Sequence, residues 1–184
     1  DFMKHEGVDC LSSNVKSLLG TINVKYREYD VENPPFVMVK ADAGTYGMGV
    51  MSIRSQDEIS ELNRKERTRM ATTKEGQKVS QVIIQEGIYT HETWGDDETV
   101  AEPVVYMMDR QVVGGFYRVH SKRSTSQNLN TPGMRFEPLA FLDCCNTPDP
   151  NLKADCHQNR FYTYGVISRL ALLAAAHEIT NALS

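Results

Sequence analysis

A lysine followed by a glycine-rich stretch is the feature of this sequence best suited to chemistry. Lys40 ends a β-rich run, and Gly44, Gly47 and Gly49 follow it before a second β-rich run begins. Phosphates need closely approaching N–H donors and a cation. Glycine allows that approach because it has no Cβ, and lysine supplies the charge. The pattern predicts a hairpin flap that covers a polyphosphate.

Two familiar phosphate loops do not fit this stretch. A Walker A loop places its lysine after the last glycine and feeds a helix, whereas Lys40 precedes the glycines and a strand follows them. A Rossmann fingerprint also requires a helix after the glycines. A hairpin with a glycine-rich bulge and a surface lysine remains an alternative. Asp42 lies near the predicted phosphate site. Its negative charge repels phosphates unless the carboxylate binds a metal ion or faces away.

Two charged residues farther along the chain end predicted strands. Glu86 comes at a strand end just before Gly87, where it can accept hydrogen bonds from a ribose or a base. Arg118 lies late in a predicted hairpin, and a guanidinium matches phosphate oxygens with two parallel hydrogen bonds. His120 follows two residues later, so on a strand it shares the face of Arg118. A solvated strand end and a surface arginine are the alternatives.

A polar segment, 121–133, has the composition of a loop. It carries Arg123, Asn128 and Asn130. Asparagine side chains can ligate Mg²⁺ or hold a substrate carboxylate, although the segment is equally typical of a solvated loop. The order of these features, from the lysine and glycines to this loop, indicates a nucleotide site more strongly than any one of them.

The apolar patterns predict the elements that must position these residues. A capping box at Ser55–Glu58 predicts the start of a charged, exposed helix. The predicted fold class is α+β with mainly antiparallel sheet. The predicted helices cover 8–29, 55–70 and 161–183, and the predicted strands cover 36–40, 49–53, 79–85, 103–108 and 111–119.

Composition limits the classes of function. The 184 residues carry a net charge of −4, which argues against binding to nucleic acid or to a membrane surface, and no apolar run reaches the ~20 residues of a membrane span. No secretion signal precedes the four cysteines, so we expect free thiols in the cytoplasm. Cys144, Cys145, Cys156 and His157 do not match a standard zinc spacing. The oligomeric state stays open.

Longer stretches of the sequence resemble the proteobacterial-type glutamate–cysteine ligases, and the order of the features resembles the ATP-grasp superfamily. The resemblance runs through nearly the whole chain, and the family's members are considerably longer, so we expect a C-terminal part of such a protein. The stretches are VKADAGTYGMGVM at 39–51, IIQEGI at 83–88, VVGGFYRVH at 112–120, NLNTPG at 128–133 and NRFYTYGVISRLALLAAAHEI at 159–179.

The resemblance implies an ATP-grasp-like fold and an ATP- and Mg²⁺-dependent ligation. ATP phosphorylates the γ-carboxylate of glutamate, and the amine of cysteine displaces the phosphate to give γ-glutamylcysteine, the first step towards glutathione. Implied subdivisions are an N-terminal helical segment at 1–34, a nucleotide-covering subdomain at 35–90 and a catalytic subdomain at 91–184.

The resemblance also implies roles for individual residues. Lys40 binds the ATP phosphates, while Arg118 and Arg123 stabilise the transferred phosphoryl group. The remaining implied roles are cofactor contacts from Gly44, Thr45, Gly47, Gly49 and Glu86, substrate contacts from His120 and Asn128, and a metal contact from Asn130.

The metal site departs from the superfamily pattern, which uses an acidic residue and a late Glu-x-Asn. The nearest sequence is Asn128-Leu129-Asn130. Either His120 and Asn128 replace acidic ligands, or 123–130 is a substrate loop and the ligands lie elsewhere. Two other functions stay open: another carboxylate–amine ligase, of glutathione synthetase or peptide ligase type, and a non-catalytic nucleotide-binding domain.

Overall fold

The chain forms two compact units in the computed structural model. The structure describes residues 1–4, 6–42, 49–71, 78–139, 148–153, 156 and 159–183. The first unit comprises 1–91 and 122–133, and the second comprises 92–121 and 134–184. The loop segment 122–133 therefore belongs with the residues around Lys40.

Helix α1, Val8–Glu28, opens the first unit and confirms the predicted helix. Its apolar residues recur every three or four positions and form one buried stripe, consisting of Leu11, Val15, Leu19 and Ile22. This stripe packs in one core with residues of the neighbouring sheet, among them Val37 and Val39.

The first unit's sheet has three antiparallel strands in the order β2-β1-β3. They are β1 Val37–Ala41, β2 Val50–Ile53 and β3 Val82–Glu86. Side chains along a strand alternate between the faces of a sheet. Val37 and Val39 are fully buried in the core with α1, so Met38 and Lys40 lie on the opposite face.

Two short helices replace the single charged helix that the sequence predicts at 55–70. They are α2 Asp57–Ser60 and α3 Arg64–Ala71. Asn63 Oδ1 accepts the Glu66 N–H at 3.0 Å, and Glu66 Oε2 accepts the Asn63 N–H at 2.9 Å. This reciprocal cap starts a new helix. Ile59 and Leu62 are buried, so this segment is less exposed than predicted.

The second unit has a four-stranded antiparallel sheet in the order β4-β5-β6-β7. Its long hairpin confirms the predicted turn at Asp109-Arg110. The short outer strands β4 and β7 were not predicted. The strands are β4 Thr93–Trp94, β5 Thr99–Met108, β6 Gln111–Val119 and β7 Arg135–Pro138.

Helix α4, Arg160–Leu183, confirms the predicted final helix. Only Phe161 and Gly165 of this helix are buried; Phe161 packs with Tyr117 and Val119 of β6. A Cβ at Gly165 would lie 3.0 Å from Val112 Cγ2, so a glycine lets the helix approach the sheet closely. The antiparallel sheets and flanking helices confirm the α+β class. No helix in the described ranges is long and apolar enough to cross a membrane.

Candidate nucleotide and substrate site

Lys40 lies on the face of the first sheet that is turned away from the α1 core. It pairs with Val50 of β2 and Ile83 of β3, and its side chain is half-buried. Its ammonium group makes no hydrogen bond or ion pair with any residue that the structure describes. A half-buried lysine without a partner in the described part of the chain is suited to an anionic ligand.

The hairpin that carries Lys40 closes at Gly49. The Ala41 N–H donates to the Gly49 carbonyl at 2.9 Å. Gly49 has φ 65°, and a Cβ there would lie 3.1 Å from the Ala41 Cβ. Glycine is required because this conformation is costly for other residues. The predicted strand–loop–strand arrangement is therefore present, while Gly44, Thr45 and Gly47 lie outside the described residues.

Glu86 lies on the opposite face of this sheet from Lys40. It pairs with Val37, three positions from Lys40 along β1. Its neighbour is Tyr26 of α1: burial raises the pKa of Tyr26, and the Glu86 carboxylate adds to the rise. The structure therefore does not place Glu86 and Lys40 on one face.

The backbone after Glu86 is held tightly against Phe36. The Gly87 N–H donates to the Phe36 carbonyl at 2.8 Å. A Cβ at Gly87 would lie 2.1 Å from Cε2 of the Phe36 ring, so only glycine fits. The Phe36 ring also meets Tyr89 edge-on, with centroids 4.9 Å apart. Phe36 thus fixes the path of the chain at the end of β3.

Arg54 fastens the 122–133 segment to the rest of the first unit, a role that has no local sequence signal. Its Nη2 donates to Ser126 Oγ at 2.7 Å, and its guanidinium lies 5.6 Å from the centre of the Phe36 ring. Thr125, the residue before Ser126, is also held: its carbonyl accepts the Thr90 N–H at 2.8 Å. The loop predicted from composition is therefore anchored at its middle.

The anchored segment positions Arg123, Asn128 and Asn130. Arg123 Nε donates to Thr131 Oγ1 at 3.2 Å. Asn128 Oδ1 accepts the Asn130 N–H at 2.9 Å, which stabilises the turn, and Leu129 is completely buried between them. The segment is thus an ordered part of the first unit.

A cavity of about 370 Å³ runs along strand β2 in the first unit, and we call it the β2 cavity. Its walls come from the sheet, from α2 and α3, and from the 122–133 segment. The structure therefore brings Arg123 and Asn128 to one cavity with Met38, the neighbour of Lys40 on the same face. Its charged and amide-bearing lining includes Glu58, Glu61, Glu66, Arg69, Arg123 and Asn128.

Arg118 and His120 lie in the second unit. Arg118 pairs with Glu102 on the neighbouring strand. Its Nε is buried, and no described residue accepts a hydrogen bond from it. His120 is buried, with 3% of its surface exposed, and its backbone N–H donates to the Val100 carbonyl at 3.2 Å. Arg118 is thus a partly satisfied guanidinium, and His120 is a packed residue.

The face of the second sheet that carries Arg118 also carries a row of aromatic rings. Phe116 lies 5.7 Å from Tyr106 and 5.0 Å from Phe136, measured between ring centroids. Tyr106 and Phe136 are more than half exposed. Sequence reasoning missed this row because Phe136 belongs to the unpredicted strand β7.

The opposite face of the second sheet holds a polar cluster beneath α4. Arg160 Nη1 lies 2.9 Å from Glu92 Oε2. Burial raises the pKa of Tyr164 well above its usual value, and the Glu92 carboxylate adds to the rise. The cluster fastens the start of α4 to the segment before β4.

The described residues do not contain a group of three or more His, Cys, Asp or Glu side chains that could hold a metal ion. The side-chain amide of Asn130 can supply one oxygen, so the predicted metal contact stays a prediction. Cys10 and Cys156 are free thiols, whereas Cys144, Cys145 and His157 lie outside the described residues.

Comparisons with known proteins agree on one family. The family model described as glutamate-cysteine ligase matches residues 1–179. A crystal structure described as "Putative gamma-glutamylcysteine synthetase", from Methylobacillus flagellatus KT, is similar to this chain, with 55% sequence identity and a TM-score of 0.75. The match covers 99% of this chain and 42% of that one, so this chain spans less than half of its relative's length. No curated protein matched the sequence.

Proposed function

Because the chain belongs to the glutamate–cysteine ligase family, we propose that it forms the nucleotide-binding and phosphoryl-transfer part of an ATP-dependent ligase of the ATP-grasp type. The observation that carries this proposal is Lys40, a half-buried cation in a glycine-closed hairpin, on the face of a small sheet that is turned away from the α1 core. The chain covers 42% of its similar structure, so the activity proposed is that of the complete protein.

The proposed reaction has two steps. A γ-carboxylate oxygen of glutamate attacks the γ-phosphorus of ATP, and the bond to the bridging oxygen breaks to release ADP. The amine of cysteine then attacks the acyl carbon of γ-glutamyl phosphate. Phosphate leaves, the amine loses a proton, and γ-glutamylcysteine forms. Such transfers depend on positioning and electrostatics more than on a side-chain nucleophile.

The proposed phosphate contacts come from the first hairpin. Lys40 neutralises charge on the triphosphate, and this is consistent with its lack of a partner among the described residues. Gly44, Thr45, Gly47 and Gly49 form the cover. The closed backbone pair between Ala41 and Gly49 supports a hairpin with a fixed base.

Two arginines are proposed to stabilise the transferred phosphoryl group and the acyl phosphate. Arg123 donates a hydrogen bond from its Nε to Thr131, and its two Nη atoms have no partner among the described residues. Arg118 has a buried Nε without an acceptor in the described chain, so its pairing with Glu102 is incomplete. Arg123 therefore retains donors for phosphate oxygens, and the Arg118 side chain is partly exposed.

The remaining site residues are proposed in supporting roles. Glu86 contacts the adenosine through the strand end, and Asn128 contacts the amino-acid substrate. His120, which is buried in the second unit, is proposed as a further substrate-binding residue. Asn130 is the proposed metal contact. The donor set of the described residues does not by itself fit Mg²⁺, so neither step above is assigned to a metal.

The proposed setting is the cytoplasm, with small-molecule substrates and no nucleic-acid or membrane partner. The free thiols of Cys10 and Cys156 support a reducing compartment, and the net charge of −4 supports the absence of a nucleic-acid partner.

The substrate proposal is tested by measuring ADP release from the complete protein that carries this chain. Glutamate with cysteine is compared with other acid–amine pairs, such as γ-glutamylcysteine with glycine. We expect turnover with glutamate and cysteine. If only another pair releases ADP, the substrates are wrong. Nucleotide binding without ADP release from any pair would indicate a non-catalytic domain.

A further inference from the structure

The β2 cavity contains unpaired charges of both signs. Glu61, at the end of α2, and Arg69, in α3, line the cavity, and neither side chain makes a hydrogen bond or ion pair with a described residue. Arg123 lines it from the other side, and its two Nη atoms have no partner among the described residues. Opposite charges that face one cavity without pairing match a ligand that itself carries both signs.

The other two carboxylates of the cavity are already occupied. Glu58 Oε1 accepts the Arg54 N–H at 3.1 Å, and Glu66 Oε2 accepts the Asn63 N–H at 2.9 Å. Glu61 is therefore the carboxylate of the cavity whose two oxygens both lack a hydrogen-bond partner among the described residues. Three carboxylates repel a triphosphate, and two guanidinium groups repel a simple cation. A zwitterion avoids both conflicts.

The cavity's size and apolar lining also suit a small molecule. Its volume of about 370 Å³ lies near the lower end of the range of roughly 300–1,000 Å³ for ligand pockets. Three methionines line it, Met38, Met51 and Met70, and thioether side chains adapt readily to the shape of a ligand.

We propose that the β2 cavity binds an α-amino acid as its zwitterion, with Arg69 and Arg123 on the carboxylate and Glu61 on the ammonium group. The proposal rests on the proposed function in one respect, since the ligase reaction makes glutamate and cysteine the amino acids to test. It adds α2 and α3 to the substrate site, with Glu61 and Arg69 as recognition residues.

The test uses the complete protein that carries this chain, with ¹³C-labelled methionine methyl groups. L-glutamate and L-cysteine are titrated separately and followed by NMR. We expect one of them to shift the signals of Met38, Met51 and Met70, while Met3 and Met108, outside the cavity lining, stay unchanged. Glutarate, which lacks the ammonium group, and γ-aminobutyrate, which lacks the α-carboxylate, should bind at least about tenfold more weakly.

Three variants test which charged side chains contribute to amino-acid binding. Arg69→Gln and Glu61→Gln should each weaken amino-acid binding about tenfold, because each removes a charge-assisted hydrogen bond. Arg64→Gln is the matched control, since Arg64 lies on the same helix and outside the cavity lining. No shift of the three methionines with either amino acid at millimolar concentration, or equal binding by the Arg69 and Arg64 variants, would overturn the proposal.

These outcomes are distinct from a failure of the proposed function. Amino-acid binding at the cavity together with no ADP release by the complete protein would support the amino-acid site and contradict the proposed ligase function. Turnover of glutamate and cysteine with KM values unchanged by Arg69→Gln and Glu61→Gln would uphold the ligase and refute the cavity.

Discussion

Arg54 donates a 2.7 Å hydrogen bond to Ser126, a residue 72 positions later in the chain. Arg54 follows strand β2 directly, and Ser126 is buried in the middle of the 122–133 segment. The same guanidinium lies over the Phe36 ring. One side chain therefore joins the hairpin of Lys40 to the segment that carries Arg123 and Asn128.

Replacing Arg54 by alanine should loosen the 122–133 segment specifically. The hydrogen bond and the ring contact together stabilise the fold by about 1 kcal/mol, because Arg54 is largely exposed. Hydrogen exchange should accelerate in 122–133 more than in α1. Arg27→Ala, at an exposed position of α1, is the control and should leave exchange in the segment unchanged. Equal exchange in both variants would show that Arg54 does not anchor the segment.

Two glycine substitutions should have opposite effects on stability. Gly87→Ala places a Cβ against the Phe36 ring, so we expect a loss of about 1–3 kcal/mol in the free energy of unfolding. Gly20→Ala meets no atom within 4 Å in the interior of α1, so we expect a gain of about 0.5–1 kcal/mol. Urea unfolding measures both. A stable Gly87→Ala protein would mean that Phe36 does not fix the strand end.

Tyr164 should make folding sensitive to alkaline pH. Its pKa is raised in the folded protein, chiefly by burial, while an unfolded tyrosine ionises near pH 10. The folded state keeps the proton that the unfolded state loses, so stability is full below about pH 10 and falls above it. Unfolding from pH 8 to 11 should show a smaller decline for Tyr164→Phe. Tyr29→Phe, at an exposed position, should decline like the parent protein.

The sequence allowed good predictions where periodicity reflects burial. The stripe of α1 and the alternation around Val39 identified a helix and a strand because each pattern has one buried face. The hairpin of β5 and β6 was predictable from two apolar runs and a two-residue turn. Strand β7 was missed since it is short and includes Pro138, a residue that disfavours strands.

The site was less predictable because its geometry depends on strand register and distant contacts. Lys40 and Glu86 were both recognised, but only the pairing of Glu86 with Val37 shows that they lie on opposite faces. The contact between Arg54 and Ser126 has no local sequence signal. The split between α2 and α3 does have a local signal, because Asn63 and Glu66 form a capping sequence inside the predicted helix.

The binding of ATP to the Lys40 hairpin tests the central claim most directly. The dissociation constant for ATP is measured by calorimetry for the parent protein, Lys40→Ala and Lys65→Ala; Lys65 is an exposed lysine of α3. We expect Lys40→Ala to weaken binding about tenfold or more, because it removes a charged contact to phosphate, and Lys65→Ala to change it less than about twofold. Equal effects of the two substitutions would contradict the assignment of the phosphate site.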